Sequence, residues 1–328
     1  MKQILLFFAL VITFTANSQN IKMRIHKSDG TTQDYPISEV DSVTYVTDAP
    51  PPPPQLKTIT QIVVDDPSFS ILKAAVVRAG LADALSTGTL TVFAPDNAAF
   101  AASGIDEAAV NSLPLQDLTN ILLYHVVGEK VPSTAVPVSD TVKTLLTTNI
   151  YASNNTNGVF VNGIPVKTAD IQAANGVIHV ISEVLNPPTK TIAELVSEDP
   201  ELSLLLAAVD KAGLVEKVSK PGKYTVFAPT NDAFIEAGFP NAQAINFAPA
   251  DAVASVANAH LFKTNVFSSD LTAGATEETL EPGVSLVVDL TPPSVKISTS
   301  SNPASNIISV DIIATNGVIH KIDRLLLP

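Results

Sequence analysis

Four of the five histidines stand in matched positions, His125 with His260 and His179 with His320. Imidazole is the side chain best suited to acid–base work and metal ligation near neutral pH. Two ligands on one helix face need a spacing such as H-x-x-x-H, and neither pair has it. A histidine inside an apolar run such as NGVIHV at 175–180 reads instead as a core residue whose ring nitrogens meet backbone groups. Carboxylates are abundant, but Asp65-Asp66 and Glu198-Asp199 precede helical runs, where negative charge suits the dipole. No apolar-flanked carboxylate pair is repeated in a way that would tune one acid against another. The chain has no G-x-S-x-G elbow, no phosphate-cradling glycine loop and no EF-hand loop. Cysteine is absent, which removes thiolate catalysis, thiolate metal sites and disulfides. The expectation is therefore no catalytic residues, no metal and no cofactor.

The elements that position these residues occur twice. Thr91–Phe100 reads TVFAPDNAAF and Thr225–Phe234 reads TVFAPTNDAF; NGVIH occurs at 175–179 and again at 316–320. Asp66-Pro67 and Asp199-Pro200 each open an apolar helical run. The offsets between copies are 133, 134 and 141 residues, so the second copy carries a short late insertion. Each copy is domain-sized and able to bury its own core, unlike a solenoid unit.

Within each copy, short helices are expected at 60–65 and 192–197. A following amphipathic helix presents Phe69, Leu72, Val76 and Ala79, or Leu202, Leu205, Val209 and Ala212, on one face. Pro67 and Pro200 suit a first helical turn, and Gly80 and Gly213 suit the C-terminal stop. Buried strands follow at 90–93 and 224–227, with Thr91 and Thr225 as structural residues. Asp96 and Thr230 are N-caps of the next helix, and Asn97 and Asn231 are expected to hydrogen-bond local backbone. A further helix at 117–124 and 252–259 leads into a strand-rich half with Asn-Gly turns. Helices first and strands later predict an α+β domain.

Upstream, Lys2, the apolar run 4–14 and Ala16-Asn17-Ser18 read as a signal peptide over 1–18. Residues 20–46 read as a small β-hairpin leader unit with its turn at Ser28-Asp29-Gly30. It resembles short leader modules of secreted Bacteroidetes-type proteins. Residues 47–57 are a Pro-rich linker containing the run Pro50–Pro54, a stiff spacer. Asp41-Ser42-Val43 and Asp140-Thr141-Val142 resemble a tripeptide glycosylated in some exported proteins of that group. The net charge of −13 opposes binding to phosphate backbones and to anionic membrane surfaces. Tryptophan is absent and aromatics are few, poor material for stacking nucleobases.

The quoted blocks, with LLYHVV at 122–127 and NGVIHVISEVL and NGVIHKIDRLL at 175–185 and 316–326, make each copy resemble the fasciclin-like domain family. The resemblance covers 58–188 and 191–328. It implies two tandem α+β domains, each an antiparallel β wedge with packed helices. It also implies a secreted, non-enzymatic adhesion or matrix protein whose partner is a cell-surface or extracellular-matrix protein or glycan. No nucleic acid, no direct membrane insertion and no cofactor are implied. Two site candidates follow from it. One is Tyr124-His125, whose tyrosine becomes Ala259 in the second copy. The other is the Asp-Ile pair, Asp170-Ile171 and Asp311-Ile312, which in animal members is implicated in integrin binding. His179, His260 and His320 join Thr91, Asn97, Thr225 and Asn231 as structural signature residues. The rival functions are an enzyme acting on extracellular polysaccharide and a periplasmic structural or assembly factor.

Overall fold

A computed structural model describes residues 22–27, 29–42, 55–292, 294–300 and 303–328. The signal peptide, Ser28 of the expected turn, the proline run, residues 44–46 and Val43 of the first glycosylation-like tripeptide lie outside the described residues. The described residues up to Gln55 and residues 56–328 fall into two compact units. In the first, strands β1 (Lys22–His26) and β2 (Thr32–Pro36) pair antiparallel, with Arg24 opposite Asp34. The Arg24 guanidinium donates two hydrogen bonds to the Asp34 carboxylate, at 2.6 and 2.8 Å.

The larger unit holds both repeats. In the first, α1 (Ile59–Asp65) starts at Thr58, whose hydroxyl accepts from Gln61 N while the Gln61 side chain accepts from Thr58 N. A 3-10 turn at Pro67–Phe69 leads into α2 (Ser70–Arg78). The chain leaves α2 through Gly80 at φ +67°, a conformation that favours glycine. Strand β3 (Leu90–Pro95) is buried throughout. Asp96 then caps α3 (Asn97–Ala102), its carboxylate accepting from Ala99 N at 2.7 Å. A helix absent from the sequence reading, α4 (Glu107–Ser112), is capped in the same way by Asp106. Helix α5 (Leu115–Tyr124) feeds β4 (Val126–Val127). Strands β5 (Ser139–Lys143), β6 (Asn149–Asn155), β7 (Gly158–Val161), β8 (Ile164–Ala173) and β9 (Gly176–Ile181) complete the repeat.

The second repeat runs through α6 (Ile192–Glu198), α7 (Ser203–Lys211), α8 (Val215–Ser219), β10 (Tyr224–Pro229), α9 (Asn231–Glu236), α10 (Ala242–Phe247) and α11 (Ala250–Ala259). It continues with β11 (Leu261–Phe262), β12 (Thr276–Glu278), β13 (Ser285–Asp289), β14 (Lys296–Ser298), β15 (Ser305–Ala314) and β16 (Gly317–Ile322).

The two sheets have the same order, β4-β3-β9-β8-β7-β6-β5 and β11-β10-β16-β15-β14-β13-β12. The expected antiparallel wedge needs one amendment: β3 pairs with β9, and β10 with β16, in parallel. That close pairing explains the glycine of each NGVIH block. A Cβ on Gly176 would lie 1.9 Å from the Leu90 carbonyl oxygen, and one on Gly317 2.0 Å from that of Tyr224. Register shifts bend β8 and β15, so each sheet folds into two halves.

Each repeat has two cores. In the first, Ile59, Leu72, Phe100, Leu118, Leu122 and Ile178 fill the space between helices and sheet. Phe93, Tyr124, Val127, Ile150, Ile181 and Leu185 fill the folded sheet. In the second repeat Phe227, Phe262, Leu286, Ile297 and Leu326 do the latter. The loss of the tyrosine at Ala259 is thus compensated: Val127 of the first repeat is matched by Phe262, which meets Phe227 edge-on at 5.4 Å. Both Tyr124 and Phe262 are fully buried. Among the described residues, no helix is long and apolar enough to cross a membrane.

Candidate functional site

The Tyr-His candidate lies inside the protein. The Tyr124 hydroxyl donates to the Asn149 carbonyl at 3.1 Å and accepts from Asn162 Nδ2 at 3.0 Å. Burial pushes its pKa up to about 12, opposed by the Asn162 hydrogen bond, so the phenol stays neutral. His125 sits at the end of α5, where helical carbonyls lack partners. Its Nδ1–H donates to the Ile121 carbonyl at 2.7 Å, and Nε2 accepts from Leu185 N at 2.9 Å. His260 repeats the arrangement with the Val256 carbonyl and Leu326 N. Burial lowers both imidazole pKa values to about 4, partly offset by the carbonyl contacts. Each ring is a neutral tie between a helix end and the last turn of its domain, with no nitrogen left for a ligand.

The Asp-Ile pairs form a second duplicated device. Asp170 and Asp311 lie in the bulged stretches of β8 and β15 at φ +62° and +56°, an uncommon conformation for a residue with a side chain. Asp170 accepts from Ser133 N at 2.9 Å and from the Ser133 hydroxyl. Its own N–H donates to His179 Nδ1 at 3.3 Å, and His179 Nε2–H donates to the Val131 carbonyl at 2.9 Å. In the second repeat Ser268, Asp311, His320 and the Val266 carbonyl take the same places. The Ser133 hydroxyl holds the Asp170 carboxyl below its ordinary range, against a smaller opposing effect of burial. Burial lowers the His320 pKa despite the nearby Asp311 carboxylate. Ile171 and Ile312 are half-buried against the helix-side cores. Ser133 and Ser268 escaped sequence reading; their equivalent positions in the two copies were the signal available.

The other signature residues are likewise spent inside the fold. Thr91 donates from its hydroxyl to the Glu129 carbonyl and accepts from Val131 N; Thr225 does so with Thr264 and Val266. Asn97 and Asn231 overturn the expectation of local bonding. Asn97 Oδ1 accepts from Ile71 N at 3.1 Å and Nδ2 donates to the Pro67 carbonyl at 3.0 Å, so the side chain reaches the start of α2. Asn231 does the same to Leu204 and Pro200. The N-terminal amides of α2 and α7 need acceptors, and tertiary contact places the asparagines there. Asn175 and Asn316 are more than turn formers, since their Oδ1 atoms accept from Ile59 N and Ile192 N, the first amides of α1 and α6.

The repeats meet through a small apolar contact. Tyr151 stacks on Phe267 with centroids 4.7 Å apart, beside Val318 and Ile313. Asn155 Nδ2 donates to the Ser269 carbonyl at 2.9 Å, and Lys223 pairs with Asp140 of the second glycosylation-like tripeptide at 2.6 Å. Gly163 abuts Asp311 so closely that a Cβ would lie 2.7 Å from the carboxylate. Asp311 of the second Asp-Ile pair thus abuts the first repeat.

Two clefts of mixed polar and apolar lining flank this contact, of about 530 and 660 Å³. Thr148, Asn149, Asn162, Lys223 and Asn265 line the first, with Pro188 of the inter-repeat connection. The buried Asn265 Oδ1 has no hydrogen-bond partner. Among the described residues, no group of three His, Asp or Glu side chains is placed to hold a metal ion.

The fasciclin domain model matches residues 67–187 and 200–328. Transforming growth factor-beta-induced protein ig-h3 of Sus scrofa is 32% identical over 251 residues, covering 74% of this chain and 35% of that protein. Human periostin is 29% identical over 254 residues, covering 74% of this chain and 28% of its own length. The chain thus spans about a third of the length of these curated relatives. Immunogenic protein MPB70 of Mycobacterium bovis is 36% identical over 133 residues, 38% of this chain and 66% of that protein. Among solved structures, the FAS1 domain pair of the insect cell adhesion molecule fasciclin I matches at 20% identity and a TM-score of 0.41, covering 82% of this chain and 96% of that one. With both duplicated blocks inside the matched segments, the chain belongs to the fasciclin family and carries two fasciclin domains in tandem.

Proposed function

We propose that this is a secreted, non-enzymatic adhesion protein that binds a cell-surface or extracellular-matrix polymer at the junction of its two fasciclin domains. The observation that carries this reading is the division of labour among polar side chains. Those shared by both repeats are consumed in ties to backbone, which makes the signature a scaffold. Two clefts with polar groups in their walls lie where the repeats meet. Amide and hydroxyl groups, with Lys223 in one cleft and Lys190, Glu183 and Asp311 in the other, suit a neutral glycan, or an extended peptide backbone, better than a reacting centre. The acidic net charge argues against nucleic acid and anionic membranes as partners.

A glycan and matrix-protein array probed with the chain from Gln19 tests the reading. Binding that weakens at least tenfold in Asn265→Ala or Lys223→Ala is expected. Turnover of extracellular polysaccharide that follows the purified protein would overturn it, as would binding indifferent to both substitutions. N-terminal sequencing of the exported protein should begin near Gln19; an intact Met1 confined to the cytoplasm would refute secretion.

A further inference from the structure

The two repeats differ in the bulk of the paired helices α5 and α11. Leu113, Leu118, Ile121 and Leu122 of the first repeat correspond to Ala248, Val253, Val256 and Ala257 of the second. The first set packs into the helix-side core. In the second repeat the missing methyl and methylene groups leave a cavity of about 90 Å³ between α7, α10 and α11. A smaller lobe of about 20 Å³ lies toward α6 and β10. The lobes share Leu205, Ala257 and His260 as walls, so they adjoin along the face of α11. Larger residues elsewhere do not refill the space: Phe239 and Ile245, which replace Ile105 and Val110, line the cavity.

The chemistry of the walls narrows the occupant. Among the described residues, His260 is the one polar side chain lining either lobe, and both its nitrogens are already engaged, by the Val256 carbonyl and by Leu326 N. A buried water needs two to four polar partners, so such a space is dry and takes hydrocarbon. Its two-lobed form suits a slender chain better than a ring system. Of the lining residues, Ala252 in the first turn of α11 is exposed, so the cavity opens there. Beside it, Phe247 is 81% exposed in the place of Ser112 of the first repeat. An exposed phenylalanine next in the chain to the lining residue Ala248 offers a landing surface for an alkyl chain.

We propose that the second domain binds the hydrocarbon end of a single free linear acyl chain, entering between α10 and α11 and leaving its polar head in water. This does not depend on the adhesive reading, since the site lies away from the junction. The test uses the full chain with dodecanoate and with dodecyl maltoside, each below its micellar concentration, read by titration calorimetry and by thermal unfolding. Both probes are expected to bind with affinities within a few-fold of one another, because the chain and not the head is recognised. Lobes of this size admit only the last few carbons of the chain, so octanoate should bind within a few-fold of dodecanoate and butanoate at least tenfold more weakly. Ala257→Leu restores the side chain of the first repeat and should abolish binding without lowering the unfolding temperature. Ala248→Leu, nearer the mouth, gives an independent reading should the leucine introduced at the deeper position prove too large. Undiminished binding in a folded Ala248→Leu or Ala257→Leu protein would overturn the proposal. So would affinity that follows head charge, or association with lipid vesicles but not with dodecanoate.

Discussion

Replacing His125 by alanine tests whether the duplicated histidines hold the fold. The imidazole is buried and joins the Ile121 carbonyl at 2.7 Å to Leu185 N at 2.9 Å. Alanine leaves the buried Leu185 amide without an acceptor, at about 1–3 kcal/mol, and opens a void where the ring packed. The total is about 2–5 kcal/mol, a large part of the stability of a typical domain.

The same ring predicts a pH dependence. Its folded pKa is about 4 against an ordinary value of 6.5, so the unfolded chain binds the proton more readily. The stability contributed by the neutral ring is complete above pH 6.5 and is lost as pH falls toward 4, by about 3 kcal/mol. His260 adds a parallel loss in the second domain. Differential scanning calorimetry from about pH 7 to 4, with hydrogen exchange followed at Leu185 and Leu326, separates the two domains. His125→Ala should lower the first domain's transition, expose Leu185 to exchange and flatten that domain's pH slope, while Leu326 stays protected. An unchanged transition with Leu185 still protected would refute the structural role.

Three further outcomes follow from the geometry. Ser133→Ala removes a donor to the Asp170 carboxylate and should cost about 1–3 kcal/mol, read in urea unfolding; Ser268→Ala should match it in the second domain, and unequal costs would break the equivalence of the clamps. Tyr124→Phe keeps the ring and should cost about 1–2 kcal/mol for the lost hydroxyl bonds, whereas Phe262→Ala should cost about 3–5 kcal/mol; reversal of that order in thermal unfolding would show that Phe262 does not replace the tyrosine. Tyr151→Ala removes the stack on Phe267 and should lower the transition of the less stable domain, which loses the contact when it unfolds, while the more stable domain's transition stays in place; loss of the whole first domain's fold would instead place Tyr151 in its core.

Much of this protein is legible in its sequence. The duplication, the helix starts at Asp96 and Thr230, and the stops at Gly80 and Gly213 are local events. Each depends on a few neighbouring residues, and propensity, capping and apolar period report such events directly. The buried character of the NGVIH strand followed in the same way. What the tertiary structure decided was every contact between residues far apart in the chain. Sequence spacing carries no record that Asn97 reaches back to the start of α2, that Ser133 closes on Asp170, or that β9 returns beside β3 in parallel and leaves no room for a side chain at Gly176. Nor could the change from Tyr124 to Ala259 be weighed alone, because Phe262, three residues on, makes up the lost volume only when both sheet halves close around it. The cavity beside Ala257 has the same origin: alanines in an amphipathic helix satisfy the apolar pattern, and whether they leave a void depends on the side chains that arrive from α7 and α10.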